Sequence, residues 1–159
     1  MPEITYKFTI DASPAMVFDA LTDQQHIAQW WTPDCTVERR VGGHATFEFK
    51  GSTGKLDGYA LMHIENLLPG KLVVWKCVEQ DYQGINDWVG TTVRFRLADN
   101  GRGGTDMDFA HLDWKSTEGS YPRCVAGWEH VLLTSLKNYL ETGKGSPYLA
   151  HIEKEAAQR

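Results

Sequence analysis

Apolar and polar positions alternate over residues 3–11: Ile4, Tyr6, Phe8 and Ile10 fall on one side, Thr5, Lys7 and Thr9 on the other. A period of two is that of a half-buried strand. The alternation breaks at Ser13-Pro14, an N-cap followed by a first-turn proline, after which Val17, Phe18 and Leu21 share one helical face. Asp23 is placed to cap a second short helix that buries Ile27 and Trp30 or Trp31, and Pro33 stops it. Strand-like alternation then returns from Thr36 to His111, with turn residues at Gly42-Gly43, Gly51 to Gly54, Pro69-Gly70 and Asn100 to Gly104. Strands are expected near 36–40, 43–50, 55–67, 71–79, 88–98 and 104–112, which with the first makes seven. The polar stretch QDYQGIND, residues 80–87, reads as an exposed loop.

The clearest periodicity comes last. From Tyr121 or Pro122 to Glu141, the residues Val125, Trp128, Leu132, Leu136 and Tyr139 recur three and four apart, Leu133 and Leu140 widen the stripe, and Gly143 supplies a stop. This predicts one long amphipathic helix. One strand, two short helices, a run of antiparallel strands and a terminal helix make an α+β order, in which a curved sheet buries one face against that helix. A single domain over 1–145 with a tail over 146–159 is expected.

Alternation also sorts the faces of the strands. Ala45, Phe47 and Phe49 point one way, as do Val73, Trp75 and Cys77, then Val93, Phe95 and Leu97, then Met107, Phe109 and His111. The opposite sides carry Glu48, Lys50, Lys76, Arg94, Arg96, Asp106 and Asp108, and the turn at 100–104 sets Arg94 and Arg96 beside Asp106 and Asp108. Large aromatic side chains on the inner face either fill the space between sheet and helix or line a cavity there.

Composition narrows the function classes. With 159 residues the chain is long enough for a core without disulfides, and Cys35, Cys77 and Cys124 are odd in number and widely spaced, which fits reduced thiols in the cytoplasm. The net charge of −5 with scattered basic residues argues against nucleic acid. No apolar run approaches the roughly 20 residues of a membrane span, and the amino terminus lacks a leader pattern, so a soluble, unprocessed chain is expected. No GxSxG, HExxH, phosphate loop or zinc spacing occurs, so no metal, cofactor or catalytic residue is expected. Cys77 reads as a small core residue. Glu129 falls on an ideal helical wheel among Val125, Leu132, Leu133 and Leu136, within the apolar stripe, and His111 is its expected neighbour at the end of an inward-facing strand. A carboxylate there would have to find a partner or become neutral.

Four segments in order, "ASPAMVFDALTDQQHIAQWW", "KLVVWK", "GGTDMDFAH" and "GWEHVLLTSLKNYL", resemble the SRPBCC or START-like helix-grip proteins, and within them the branch homologous to the carboxy-terminal domain of the heat-shock-protein-90 ATPase activator. The resemblance runs from about Ile4 to Tyr139. It implies a seven-stranded antiparallel sheet gripping the terminal helix, with an apolar small-molecule cavity between them. Trp30 and Trp31 would lie where the second short helix meets the sheet, either sealing the core or touching a ligand. The eukaryotic co-chaperone has a further amino-terminal domain to which no segment here corresponds, so the resemblance implies fold and ancestry rather than ATPase activation.

On this reading the chain is a binder of a small apolar or aromatic molecule. Trp31, Phe47, Phe49, Trp75, Phe95, Met107, Phe109, Trp128, Leu132 and Leu136 would form the walls, and His111 and Glu129 would orient the ligand. The alternatives are an enzyme of polyketide cyclase, aromatase or dehydratase type using the same cavity, and a co-chaperone-like interaction module of the stress response that contacts a chaperone. A monomer or homodimer is expected.

Overall fold

A computed structural model describes residues 2–51 and 53–148. Strand β1 (Ile4–Ile10) is followed by helices α1 (Pro14–Thr22) and α2 (Gln24–Trp30), and then by β2 (Asp34–Val37), β3 (His44–Lys50), β4 (Leu56–Leu68), β5 (Leu72–Tyr82), β6 (Thr92–Asp99) and β7 (Thr105–Leu112). The seven strands form one antiparallel sheet in the order β1-β7-β6-β5-β4-β3-β2. Register shifts at Phe49/Lys50, Leu61/Met62 and Ile64/Asn66 insert unpaired residues, and such bulges bend a sheet and increase its twist. The layer therefore curves around the terminal helix, the α+β helix-grip architecture the sequence predicts.

The caps are those expected. Ser13 Oγ accepts from the Met16 N–H at 3.2 Å, and Asp23 Oδ1 accepts from the Gln25 N–H at 2.9 Å. Differences from the expectations lie where non-local bonds decide. Strand β2 starts at Asp34, two residues early, where it pairs Glu48. Strand β5 runs on to Tyr82, and Tyr82 and Ile85 exchange backbone bonds of 2.8 and 3.1 Å across Gln83-Gly84. Both turn residues have positive φ, 53° and 88°, the signature of a type I′ hairpin turn. Residues expected as one exposed loop thus form a strand end and a tight turn, and β6 begins only at Thr92, leaving Trp88 on the connection. The wet face of the β6–β7 hairpin carries the expected charges, but Arg94 opposes Ala110 and Ala98 opposes Asp106, leaving Arg96↔Asp108 as the aligned pair. No ion pair joins these arginines and aspartates among the described residues.

The terminal helix, α3, comprises an α-helical segment Tyr121–Trp128, a π-helical segment Glu129–Leu136 and an α-helical segment Lys137–Thr142, ending at Gly143. The long amphipathic helix the sequence predicts is present, but it is not α-helical throughout: Lys137 N–H bonds the Leu132 carbonyl five residues back. The buried stripe accounts for the difference. Cys124, Trp128, Leu132 and Leu136 are four residues apart, and on an α-helix each such step overshoots a full turn by about 40°. A stretch of wider π turns brings the stripe back over the sheet.

Candidate functional site

Most of the space between sheet and helix is filled by rings. Trp31, at the end of α2, stacks on Trp75 with centroids 6.0 Å apart and planes within 2°, and also meets Phe47 at 4.4 Å and Trp128 at 5.3 Å. From Trp75 the contacts continue to Phe95 (5.1 Å), then Phe109 (5.2 Å), and back to Trp128 (4.7 Å). Phe47, Trp75, Phe95, Met107, Phe109, Leu132 and Leu136, expected as cavity walls, are none of them more than 2% exposed and pack as solid core. The hollow expected along the helix is in that stretch closed.

What remains open is a cleft of about 150 Å³ at one end, between the far end of β5, the first turns of α3, the end of α2 and the segment after α3. Of the expected wall residues it keeps Trp31, Phe49 and Trp128, and it adds Gln80, Tyr82, Trp88, Arg123, Cys124, Gly127, Val131 and Tyr148. A larger depression of about 780 Å³ lies between Lys7, Lys71, Arg96, Asp106 and Asp108 on the other face of the sheet; its mixed charges and breadth make it a poor small-molecule site beside a cleft walled by aromatic rings.

Most polar groups in the cleft have a structural partner. Tyr148 OH donates to Asp57 Oδ2 at 3.1 Å, so Tyr82 OH donates to Tyr148 OH at 2.9 Å. Burial, reinforced by those bonds, pushes the Tyr148 hydroxyl well above the usual phenol range. Gln80 Oε1 accepts from the Trp88 N–H at 3.1 Å. The Trp88 indole N–H points at Cys124 Sγ, 3.1 Å away, and burial pushes that thiol up to about 11. Burial likewise pushes inward-facing Cys77 up to about 12, so neither sulfur is a thiolate near neutral pH. The Arg123 guanidinium lies over the Tyr82 ring, 4.2 Å from its centroid.

His111 and Glu129 do not form a polar point. Glu129 is exposed: the buried stripe is centred on Trp128 and Leu132, and a residue next to Trp128 is swung about 100° away from the sheet. His111 is fully buried beneath the cleft, and its partner is Trp128, whose indole N–H donates to Nδ1 at 3.0 Å. The ring's own proton is therefore on Nε2, which donates to Thr91 Oγ1 at 2.8 Å, and that hydroxyl donates to the Trp88 carbonyl at 2.6 Å. The chain is satisfied only with a neutral imidazole, and burial holds its pKa down at about 3.

Trp30 and Trp31 divide the two expected roles. Trp30 is sealed inside, its indole N–H donating to the Ala20 carbonyl at 2.7 Å, while Trp31 stacks on it at 6.0 Å and forms cleft wall. The segment after α3 docks against this corner. Ser135 Oγ donates to the Trp30 carbonyl at 2.6 Å and accepts from Ser146 N–H at 2.8 Å, and Tyr148 N–H donates to the Trp31 carbonyl at 2.6 Å. The stretch from Ser146 to Tyr148, expected as the start of a tail, thus docks on this corner with Tyr148 lining the cleft, and residues 149–159 lie outside the described residues. Trp88 was hidden because it falls at the start of an expected strand, 88–98, that in the structure begins only at Thr92, and Tyr148 because it falls in the stretch that reads as tail. Gly127 did leave a signal, as an unexplained glycine inside a helix.

Among the described residues, no group of three or more His, Cys, Asp and Glu side chains could hold a metal ion, and no helix is long and apolar enough to cross a membrane.

The comparisons agree with this architecture. No curated protein matches the chain. The solution structure of the Aha1 dimer from Colwellia psychrerythraea is 31% identical with a TM-score of 0.74, over 91% of this chain and all of that one. Protein CV1439 from Chromobacterium violaceum is 21% identical with a TM-score of 0.70, over 89% of this chain and 99% of that one. DynU16, a putative protein in the dynemicin biosynthetic locus, is 19% identical with a TM-score of 0.71, over 90% of this chain and 48% of that one. The last two likenesses show the fold alone. A family model described as "Activator of Hsp90 ATPase homolog 1-like protein" matches residues 11–141, and the chain belongs to that family, within the SRPBCC helix-grip superfamily.

Proposed function

We propose that the protein binds a small aromatic molecule in the cleft between the far end of β5 and the first turns of α3. The observation that carries this is the cleft itself, about 150 Å³ walled by Trp31, Phe49, Trp88 and Trp128. An engineered apolar cavity of roughly that volume takes up benzene. Binding fits the chemistry better than turnover does: the thiols are protonated, the hydroxyls are tied in hydrogen bonds, and the imidazole is sealed under the cleft by Trp128. Affinity would come from apolar area removed from water, at about 25 cal/mol per Å² before the costs of association.

Gly127 offers a test that spares the fold. A Cβ at this position would meet no atom within 4 Å, so the glycine leaves a notch in the cleft wall instead of relieving a clash. Gly127→Leu should fill the notch while removing a helix-interior glycine that costs about 1 kcal/mol. The expected outcome is a melting temperature no lower than the parent's and at least a tenfold loss of affinity for benzene-sized aromatic probes, read by tryptophan fluorescence. Unchanged affinity in the folded variant would remove the cleft from consideration. A cytoplasmic monomer or homodimer is the matching quaternary reading, a dimer being the state named for the Colwellia protein, and light scattering behind a sizing column measures it.

A further inference from the structure

We infer that the ligand of this cleft is an aromatic acid, its ring between the indoles and its anionic group on Arg123; the inference rests on the binding role proposed above. Among the described residues lining the cleft, Arg123 is the one that carries a charge. It makes no ion pair among the described residues. Asp57 accepts from the Tyr148 hydroxyl, and Asp87 accepts from both the backbone N–H and the hydroxyl of Ser120; neither forms an ion pair with the guanidinium. A cation with no ion-pair partner among the described residues, at the mouth of an aromatic cleft, favours a negative charge on whatever enters.

The guanidinium is also held in place. Its Cζ lies over the Tyr82 ring, 4.2 Å from the centroid, and Tyr82 is itself anchored by donating to Tyr148. A guanidinium over an aromatic ring can still bond a carboxylate in pairs through its N–H groups, a geometry that a lysine ammonium does not reproduce. Gly127 lies four residues beyond Arg123, on the same side of α3, and space for an added Cβ is open there. A flat ring entering over Gly127 would therefore bring a substituent beside the fork. The volume limits the ring to about one six-membered cycle.

Benzoate and benzamide share shape and size and differ in charge, so their affinities, titrated by NMR shifts and tryptophan fluorescence on the full chain, separate the possibilities. In 20 mM salt benzoate should bind about fivefold more tightly than benzamide, the range for an exposed but charge-assisted pair. Raising the salt to 0.5 M should shrink the ratio. Arg123→Gln should bring it to about one, Arg123→Lys should restore part of it, and Arg102→Gln, on the distant β6–β7 turn, should leave it alone. Equal or weaker binding of benzoate, or a ratio that survives Arg123→Gln, overturns the inference while leaving the cleft a neutral-ligand site. Failure of both compounds to bind overturns the binding role and the inference together.

Discussion

His111 shows how one buried side chain makes stability depend on pH. The folded protein holds it neutral, with its pKa down at about 3, whereas in the unfolded chain it returns to its ordinary 6.5. Between those values the unfolded state binds the extra proton, so stability rises with pH. The contribution is complete above 6.5 and is lost, at up to roughly 1.4 kcal/mol per pH unit, as the pH falls toward 3. Denaturant unfolding of the parent and of His111→Gln between pH 7.5 and 4.5 should show a steeper slope in the parent, and the ring resonances of His111 should not titrate between pH 5 and 8. Equal slopes with a titrating ring would show that Trp128 does not hold Nδ1 as an acceptor. That His111 faces inward was legible from alternation in β7. Its partner was not, because an ideal wheel set Glu129 in the stripe, and only the crossing of α3 over the sheet decides which neighbour turns inward.

At the scale of elements, what is local was legible and what is closed by distant contacts was not. The strand count, the Ser13 and Asp23 caps and the Gly143 stop depend on residues within a turn of one another. The docking of residues 144–148 depends on the meeting of α2 and α3, which no single window of sequence contains. Ser135 ties that meeting together: buried, it joins the end of α2 to the segment after α3 through one hydroxyl. Gly145 completes it, since a Cβ there would lie 2.3 Å from the Gln29 carbonyl oxygen. Ser135→Ala should cost about 1–3 kcal/mol by leaving a buried carbonyl and an N–H without their partner. It should also raise amide exchange over residues 144–148, as should Gly145→Ala. If exchange there stays as slow as in the parent, the hydroxyl is not what holds Tyr148 over the cleft.

Across the whole molecule, all six tryptophans belong to one aromatic network. Trp30 touches Trp31, which touches Trp75 and Trp128; Trp128 touches Trp88 and His111, and His111 touches Trp114. The network draws on α2, β5, the connections flanking β6 and β7, and α3, so no layer can leave without separating rings that another layer holds. The same continuity explains why a cavity along the helix was a natural expectation from sequence: the inner face was correctly assigned, but ring volume does not reveal whether rings interlock, and here they do except at one end. Near-UV circular dichroism, tryptophan fluorescence and far-UV circular dichroism should therefore report one coincident thermal transition, the mark of a cooperative unit. An earlier loss of the near-UV signal would mean that the sheet and helix persist without interlocked rings. The cleft would then be a gap in a loosely packed interior, with no fixed shape for a ligand to match.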